Sequence, residues 1–345
     1  MQKKKLSVTH ARDLGLLFTE NDVKMIGQDG AYSIPIKSGE TLWLFGDTFI
    51  GHFNEIGKRV IEEMPNNTGL ICYSADAKNG LDDFSYLKDK SGKLRQLIPL
   101  EADEDGKVFR IWGMHGCYLN DKIYWYYIRV RILSEGVWPY KFDVEGSGLA
   151  VANYSELRFR RIKKEESTIL WEKDEPCFGV AVLPVKQDGF VYLYGSYLKN
   201  WQHHCALARV PFDSLEYPEY YEYLTSSKPE WGHDVKQAIS VMEGMPTEMS
   251  VSFNNYLGCY LAVHSYETTG KIVGRTAPHP WGPWSEPVTL WVPKVPLRNP
   301  LVYNGPLVYA GKEHPELARE NGKIIYLTCV EFEEYFPRLI EVTLQ

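Results

Sequence analysis

Residues 29–48, DGAYSIPIKSGETLWLFGDT, read as one β-hairpin: a run of small and apolar residues, a turn built on Lys, Ser and Gly, then a run of aromatic and β-branched residues. Four later stretches repeat the plan. They are GMHGCYLNDKIYWYYIRV at 113–130, FGVAVLPVKQDGFVYLYGSY at 178–197, EMSVSFNNYLGCYLAVHSY at 248–266 and GKEHPELARENGKIIYLTCV at 311–330. Their turns centre near residues 38, 121, 188, 256 and 321, so the copies recur every 65 to 83 residues. A repeat of that length is the size of a propeller blade, not of a solenoid turn.

Further strand-like runs lie between the hairpins. GLAVANY from Gly148 and STILWEK from Ser167 follow the second, and KIVGRTA from Lys271 and EPVTLWV from Glu286 follow the fourth. The pattern predicts an all-β fold, a five-bladed β-propeller of four-stranded antiparallel blades. The small residues of each first strand suit the crowded axis, and the aromatic residues of each second strand pack between blades. LGLLFTE from Leu14 precedes the first hairpin and RLIEVTL from Arg338 ends the chain. The N-terminal strand is therefore expected to join the last blade and close the ring, which limits exposed strand edges. With 44% hydrophobic and 14% aromatic residues and no linker-like segment, residues 1–345 are expected to form a single domain.

Composition excludes several classes. No stretch approaches the roughly 18 consecutive apolar residues of a membrane span. The start MQKKKLSVTH has basic residues but no apolar run behind them, so a cytoplasmic location is expected. The net charge of −7 is made of interspersed signs, and the basic runs KKK at Lys3 and RFRRIKK at Arg158 read as solvated faces, so no nucleic-acid partner is expected. The six cysteines stand singly, without the spacing of a zinc site, and read as buried free thiols. Neither a cofactor nor a metal is called for by any motif: the chain has no HExxH, GxSxG, P-loop or dinucleotide fingerprint. The adjacent His203 and His204 face opposite ways on a strand and do not suit joint ligation. Oligomeric state is left open.

In a hairpin the start of the first strand lies beside the end of the second, which sets Asp29 next to Asp47 on one rim. The same geometry assigns to that rim His115 with Arg129 and Arg131, Glu175 with Tyr197, Glu248 with Tyr266, and Lys312 to His314 with Glu331. Acids converging at one mouth of a channel, flanked by His, Arg and aromatic residues, suit glycosidic-bond cleavage, in which two carboxyl groups divide acid and base or nucleophile duties. Asp29, Glu248 and Asp47 are the catalytic candidates; His115, Arg129, Glu175, Tyr197, Tyr266, Arg275 and His314 are the substrate-binding ones. Each has a structural alternative. Asp47 could end a strand by bonding turn backbone, Asp29 could form an Asx turn, and His115 and His314 could be hydrogen-bonded interior histidines. Glu248, opening a strand otherwise made of Met, Ser, Val and Phe, is harder to explain structurally, because an unpaired buried carboxylate is costly.

GQDGAYSIPIKSGETLWLFGDTFIG from Gly27, the 178–197 hairpin, ALARVPFDSL from Ala206, HPWGPWSEP from His279 and YAGKEHPEL from Tyr309 together resemble a group of five-bladed β-propeller proteins known as a domain of unknown function. That group is similar to glycoside hydrolases, and some relatives are endo-acting arabinanases. The resemblance covers nearly the whole chain, with GDT and WGPWS its most specific parts. It implies a channel facing a carbohydrate, with Asp29 matching the acidic residue at the first blade's inner strand that serves as base or nucleophile. It also implies a general-acid Glu on the third blade's inner strand. Here the third blade reads FGVAVL with Glu175 just before it, and the inner-strand Glu is Glu248 on the fourth.

Two function classes follow. One is a hydrolase acting on an oligo- or polysaccharide, arabinose-containing ones included; a phosphorolytic variant would draw its phosphate pocket from Arg129, Arg131 and Arg275. The other is a non-catalytic propeller that binds a glycan or a protein. Carboxylates paired on one rim favour the first, and scattered acids paired with Arg favour the second.

Overall fold

The computed structural model describes residues 5–74, 76–135, 141–267, 269–294 and 307–345; of the basic start, residues 1–4 lie outside them. The described chain is all-β and its sheets are antiparallel. The first sheet orders Tyr32–Pro35, Thr41–Phe45, Thr68–Cys72 and Phe84–Tyr86. The second orders Phe109–Leu119, Lys122–Ile132 and Phe142–Asn153, with Arg160–Arg161 and Trp171–Glu172 both on its outer side. The third runs Cys177–Val185, Phe190–Lys199, Gln202–Pro211, Glu222–Ser226 and Glu230–Gly232, with Ser240–Glu243 also pairing Gln202–Pro211. The fourth is Met249–Asn254, Cys259–Ser265, Ile272–Ala277 and Val288–Trp291. The fifth is Val308–Glu313, Ile324–Glu331, Pro337–Leu344 and, on its outer edge, the N-terminal strand Val8–Leu16.

The first strands of these sheets lie side by side in chain order, from Tyr32–Pro35 to Val308–Glu313. Local chemistry explains the hairpins. At Asn120-Asp121 both residues are left-handed (φ 51° and 61°), so Leu119 pairs directly with Lys122 across a two-residue turn that Asn and Asp tolerate. The second strands supply the core: Trp43, Trp125, Tyr126, Tyr127, Tyr192, Tyr194 and Tyr326 are fully buried. Small residues on the first strands make room for them; a Cβ on Gly113 would come within 2.0 Å of the Trp125 ring, and one on Gly179 within 2.1 Å of Tyr126. The WGPWS segment clasps the fourth sheet to the third. The Pro280 carbonyl accepts from the Tyr194 hydroxyl at 2.6 Å, and Trp281 and Trp284 lie against Tyr192 and Tyr194.

Several strands differ from expectation in extent. The N-terminal strand is Val8–Leu16, earlier than LGLLFTE, because the chain turns into the core at Leu17 and Phe18, where φ is 62°. STILWEK yields only Trp171–Glu172, since the Thr168 carbonyl accepts instead from the Tyr127 hydroxyl at 2.6 Å. The fifth inner strand starts at Val308 and ends at Glu313. Pro315, which lacks an N–H for the ladder, opens a short 3-10 turn over Pro315–Leu317. A sixth, three-stranded sheet of Met25–Gln28, Thr48–Phe53 and Arg59–Glu63 was not expected; it springs directly from Asp47. Among the described residues no helix is long and apolar enough to cross a membrane, and all six cysteines are free thiols, five of them buried.

Candidate active site

Asp29 and Asp47 meet as the hairpin geometry requires: the Asp29 N–H donates to the Asp47 carbonyl at 3.3 Å, and the Gly46 N–H to the Asp29 carbonyl at 3.0 Å. Glycine between Phe45 and Asp47 leaves the Asp29 carboxyl in place, because a Cβ there would lie 2.5 Å from Asp29 Oδ1 and force that side chain to shift. The GDT triplet thus makes space for the carboxyl of Asp29 as well as presenting Asp47. Two hydroxyls from the fifth sheet and the turn after its second strand, Tyr309 and Tyr335, donate to Asp29 Oδ2 at 3.0 Å each. Tyr335 is steadied by stacking on Phe49, ring centres 4.3 Å apart. Asp47 Oδ1 accepts from Trp112 Nε1 at 3.0 Å and from Asn66 Nδ2 at 3.1 Å. Glu248 precedes the fourth inner strand, and its Oε1 lies 3.3 Å from Lys312 Nζ.

The three acids are ringed by protein yet retain some exposure; the Glu248 side chain is 15% exposed. Burial, the Asp47 carboxyl and then Glu248 push Asp29 up to about 8, against the pull of the Tyr335 and Tyr309 hydroxyls. Burial raises Asp47 to about 6, while its bonds from Trp112 and Asn66 and the charge of Arg110 hold it down. Burial also raises Glu248, and Lys312 counteracts. Burial thus raises all three carboxyls, Asp29 above Asp47, and unlike environments for neighbouring acids are what acid–base catalysis needs.

The other candidates are distributed differently. Arg129 and Arg131 lie opposite Ile111 and Phe109, because the second inner strand begins at Phe109 and not at Gly113. Both are in ion pairs: Arg129 with Glu104 (3.1 Å) and Glu145 (3.0 Å), and Arg131 with Glu145. His115 sits deeper, its Nδ1 accepting from the Val182 N–H at 2.9 Å and its ring stacked on Tyr32, and burial lowers it to about 4. His314 is fully buried between Ser33 Oγ (2.6 Å) and Thr328 Oγ1 (2.8 Å) and stacks on Trp43. Burial holds it well below the usual histidine range. Val308, not Lys312 to His314, faces Glu331.

Arg275 spends its guanidinium on the Glu243 and Ser285 carbonyls (2.7 and 3.0 Å) and on His264 Nε2 (3.3 Å). Tyr266 lies against Gly244, and Tyr197 stacks on His204. Glu175 accepts from the Glu172 N–H at 2.9 Å and lines a separate groove of about 500 Å³ with Trp171, Tyr221 and Tyr223. A groove of about 740 Å³ between Arg95 and Arg158 is likewise not lined by the three acids.

Of the residues that complete the acid group, Trp112, Asn66, Tyr309 and Tyr335 fall outside the hairpin pattern, and Lys312 falls within it. Trp112 and Tyr309 lie one and two residues before the 113 and 311 repeats as delimited from sequence, and longer strand boundaries would have captured them. Asn66 and Tyr335 sit in connections. Lys312 was aligned with the rim and proves to be buried.

Residues 17–341 match the model of a domain of unknown function, DUF4185. Among curated proteins nothing matches. Among solved structures, a Bacteroides ovatus protein carrying a provisional hydrolase designation aligns with a TM-score of 0.63 at 17% identity, over 93% of this chain and 87% of that one. The GH43_1 enzyme of Xanthomonas citri, solved with xylose, aligns at 0.53 and 15% identity, over 97% and 89%. A family 117 glycoside hydrolase of the marine bacterium Zobellia galactanivorans aligns at 0.52 and 11%, over 97% and 89%. At these identities the likeness is one of fold, that of propeller-fold proteins.

Proposed function

The chain belongs to the DUF4185 family, and on that premise we propose that it is a five-bladed β-propeller glycoside hydrolase cleaving an oligo- or polysaccharide through Asp29, Glu248 and Asp47. The observation that carries this is the meeting of Asp29 and Asp47 on one rim with Glu248 near enough to raise Asp29 further. An oxocarbenium-like transition state needs one carboxyl group to protonate the leaving oxygen and another, ionised, to assist on the far side. Trp112, half-buried and bonded to Asp47, adds aromatic surface of the kind sugar rings stack on.

Five blades in a closed ring are supported by the five consecutive inner strands, by the pairing of Val8–Leu16 with Pro337–Leu344, and by the bonds that tie the fifth sheet to the first through Tyr309 and Asp29, His314 and Ser33. Several solved relatives are named glycoside hydrolases, which supports a carbohydrate substrate; arabinose-containing glycans belong in the test for the resemblance noted above. Against the non-catalytic alternative, neither Asp29 nor Asp47 is in an ion pair among the described residues, whereas Glu104 and Glu145 are paired with Arg.

The test is release of reducing ends by the wild-type protein from a panel of oligosaccharides and polysaccharides that includes arabinans and xylans. Turnover of one class supports the hydrolase. Binding of a glycan without turnover of any of them transfers the function to a glycan-binding propeller.

A further inference from the structure

Lys312 lies on the innermost strand Val308–Glu313 with its side chain 2% exposed. A buried ammonium persists only when its charge and its donors are met. Its Nζ donates to the carbonyls of Ala310 (2.8 Å) and Gly30, reaches Glu248 Oε1 at 3.3 Å, and lies 4.3 Å from the centre of the Tyr32 ring. These partners belong to the fifth, first and fourth sheets or the segments leading into them, so the ammonium is pinned where three inner strands meet. The groups facing Glu248 are Lys312, Tyr32, Tyr309 and Asp29; those facing Asp29 are Asp47, Glu248, Tyr309 and Tyr335. Around Lys312 itself the remaining groups are Asp29, Cys329, His115 and the buried His314. The ammonium thus contacts Glu248 directly, whereas Asp29, which its field also reaches, takes its hydrogen bonds from the Tyr309 and Tyr335 hydroxyls.

Resting on the hydrolytic function proposed above, we propose that Lys312 is a positioning residue that holds Glu248 as the ionised carboxylate, making Glu248 the base and Asp29 the general acid. Asp29 gives its proton to the bridging oxygen as the anomeric C–O bond breaks. Glu248 takes a proton from the incoming water, whose oxygen forms the new anomeric bond, and one water is consumed per bond cleaved. This is the reverse of the role that the resemblance gives Asp29. Burial drives Lys312 and Glu248 each toward the neutral form, and the charge of each counteracts that for the other.

The test is carboxyl ¹³C NMR on protein labelled at Asp and Glu, with signals assigned through Asp29→Asn and Glu248→Gln. The expected result is that Glu248 ionises at lower pH than Asp29, and that Lys312→Met raises the Glu248 midpoint by about one pH unit or more while Lys312→Arg restores it. On a substrate the wild type cleaves, Lys312→Met lowers kcat more than it changes KM and moves the acidic limb of the pH profile upward by the same interval. Loss of the Asp29 proton before that of Glu248, or a Glu248 midpoint unmoved in Lys312→Met, overturns the proposal; the first outcome is read on the wild type and needs no variant to fold. The titrations need no substrate. A protein with the expected order of ionisation and no turnover refutes the hydrolytic function, not the hold of Lys312 on Glu248.

Discussion

Replacing Glu313 by Gln tests the electrostatics of the inner strands apart from the acid group. Glu313 is 4% exposed; its Oε2 accepts from the Ser252 hydroxyl at 3.0 Å, and its own N–H donates to Ser250 Oγ at 2.7 Å. Burial, with a smaller push from Glu316 and a pull from Ser252, raises its carboxyl from 4.5 to about 8. The folded protein thus keeps a proton that the unfolded chain releases above 4.5. The stability this proton contributes is fully present below that pH and is lost as pH rises toward 8. Linkage gives a loss of about 1 kcal/mol by pH 5 and about 4 kcal/mol by pH 8. Gln keeps the shape and can still accept from Ser252, but it does not titrate. Urea unfolding of both proteins at pH 5 and pH 8 is the assay. Relative to wild type, the variant is expected to gain about 3 kcal/mol between the two pH values, whatever the constant cost of the amide. A gain below about 1 kcal/mol would refute the reasoning, because Glu313 would then be ionised in the folded state.

Three further outcomes follow from named contacts. Gly46→Ala puts a methyl 2.5 Å from Asp29 Oδ1 and is expected to lower kcat by about 10²-fold or more with cooperative unfolding retained, as activity and denaturation assays would show. Trp112→Phe removes the 3.0 Å donor to Asp47 and is expected to raise the Asp47 midpoint by about one pH unit, read by carboxyl NMR. Arg161, with its side chain wholly buried against Glu104, should cost about 3 kcal/mol or less when changed to Met, since Glu104, 5% exposed, loses one guanidinium but keeps Arg129 at 3.1 Å; urea unfolding measures this.

The hairpin periodicity carried the architecture because it reports on both faces of each strand at once. Small residues such as Gly113 and Gly179 stand where neighbouring aromatic rings approach, and Trp125 and Tyr126 are those rings. The pairing of Asp29 with Asp47 was legible for a related reason: a short turn fixes register, so strand ends can be matched by counting. Counting failed where strand ends were misjudged. Starting the second strand at Gly113 aligned His115 with Arg129, whereas four earlier residues already belong to the ladder and His115 falls deeper. Tyr335 and Asn66 reach the acids from connections, and no periodicity describes a connection. The burial of Lys312 against Glu248 depends on three sheets converging, which local sequence does not encode.

The measurement that bears most directly on the central claim is kcat/KM on the best substrate of the panel for wild type, Asp29→Asn and Glu248→Gln, each checked for unchanged folding. Each variant is expected to lose about 10²–10⁴-fold, the usual contribution of a positioned acid or base. Retention of activity within about tenfold in either folded variant would contradict catalysis by these carboxyl groups.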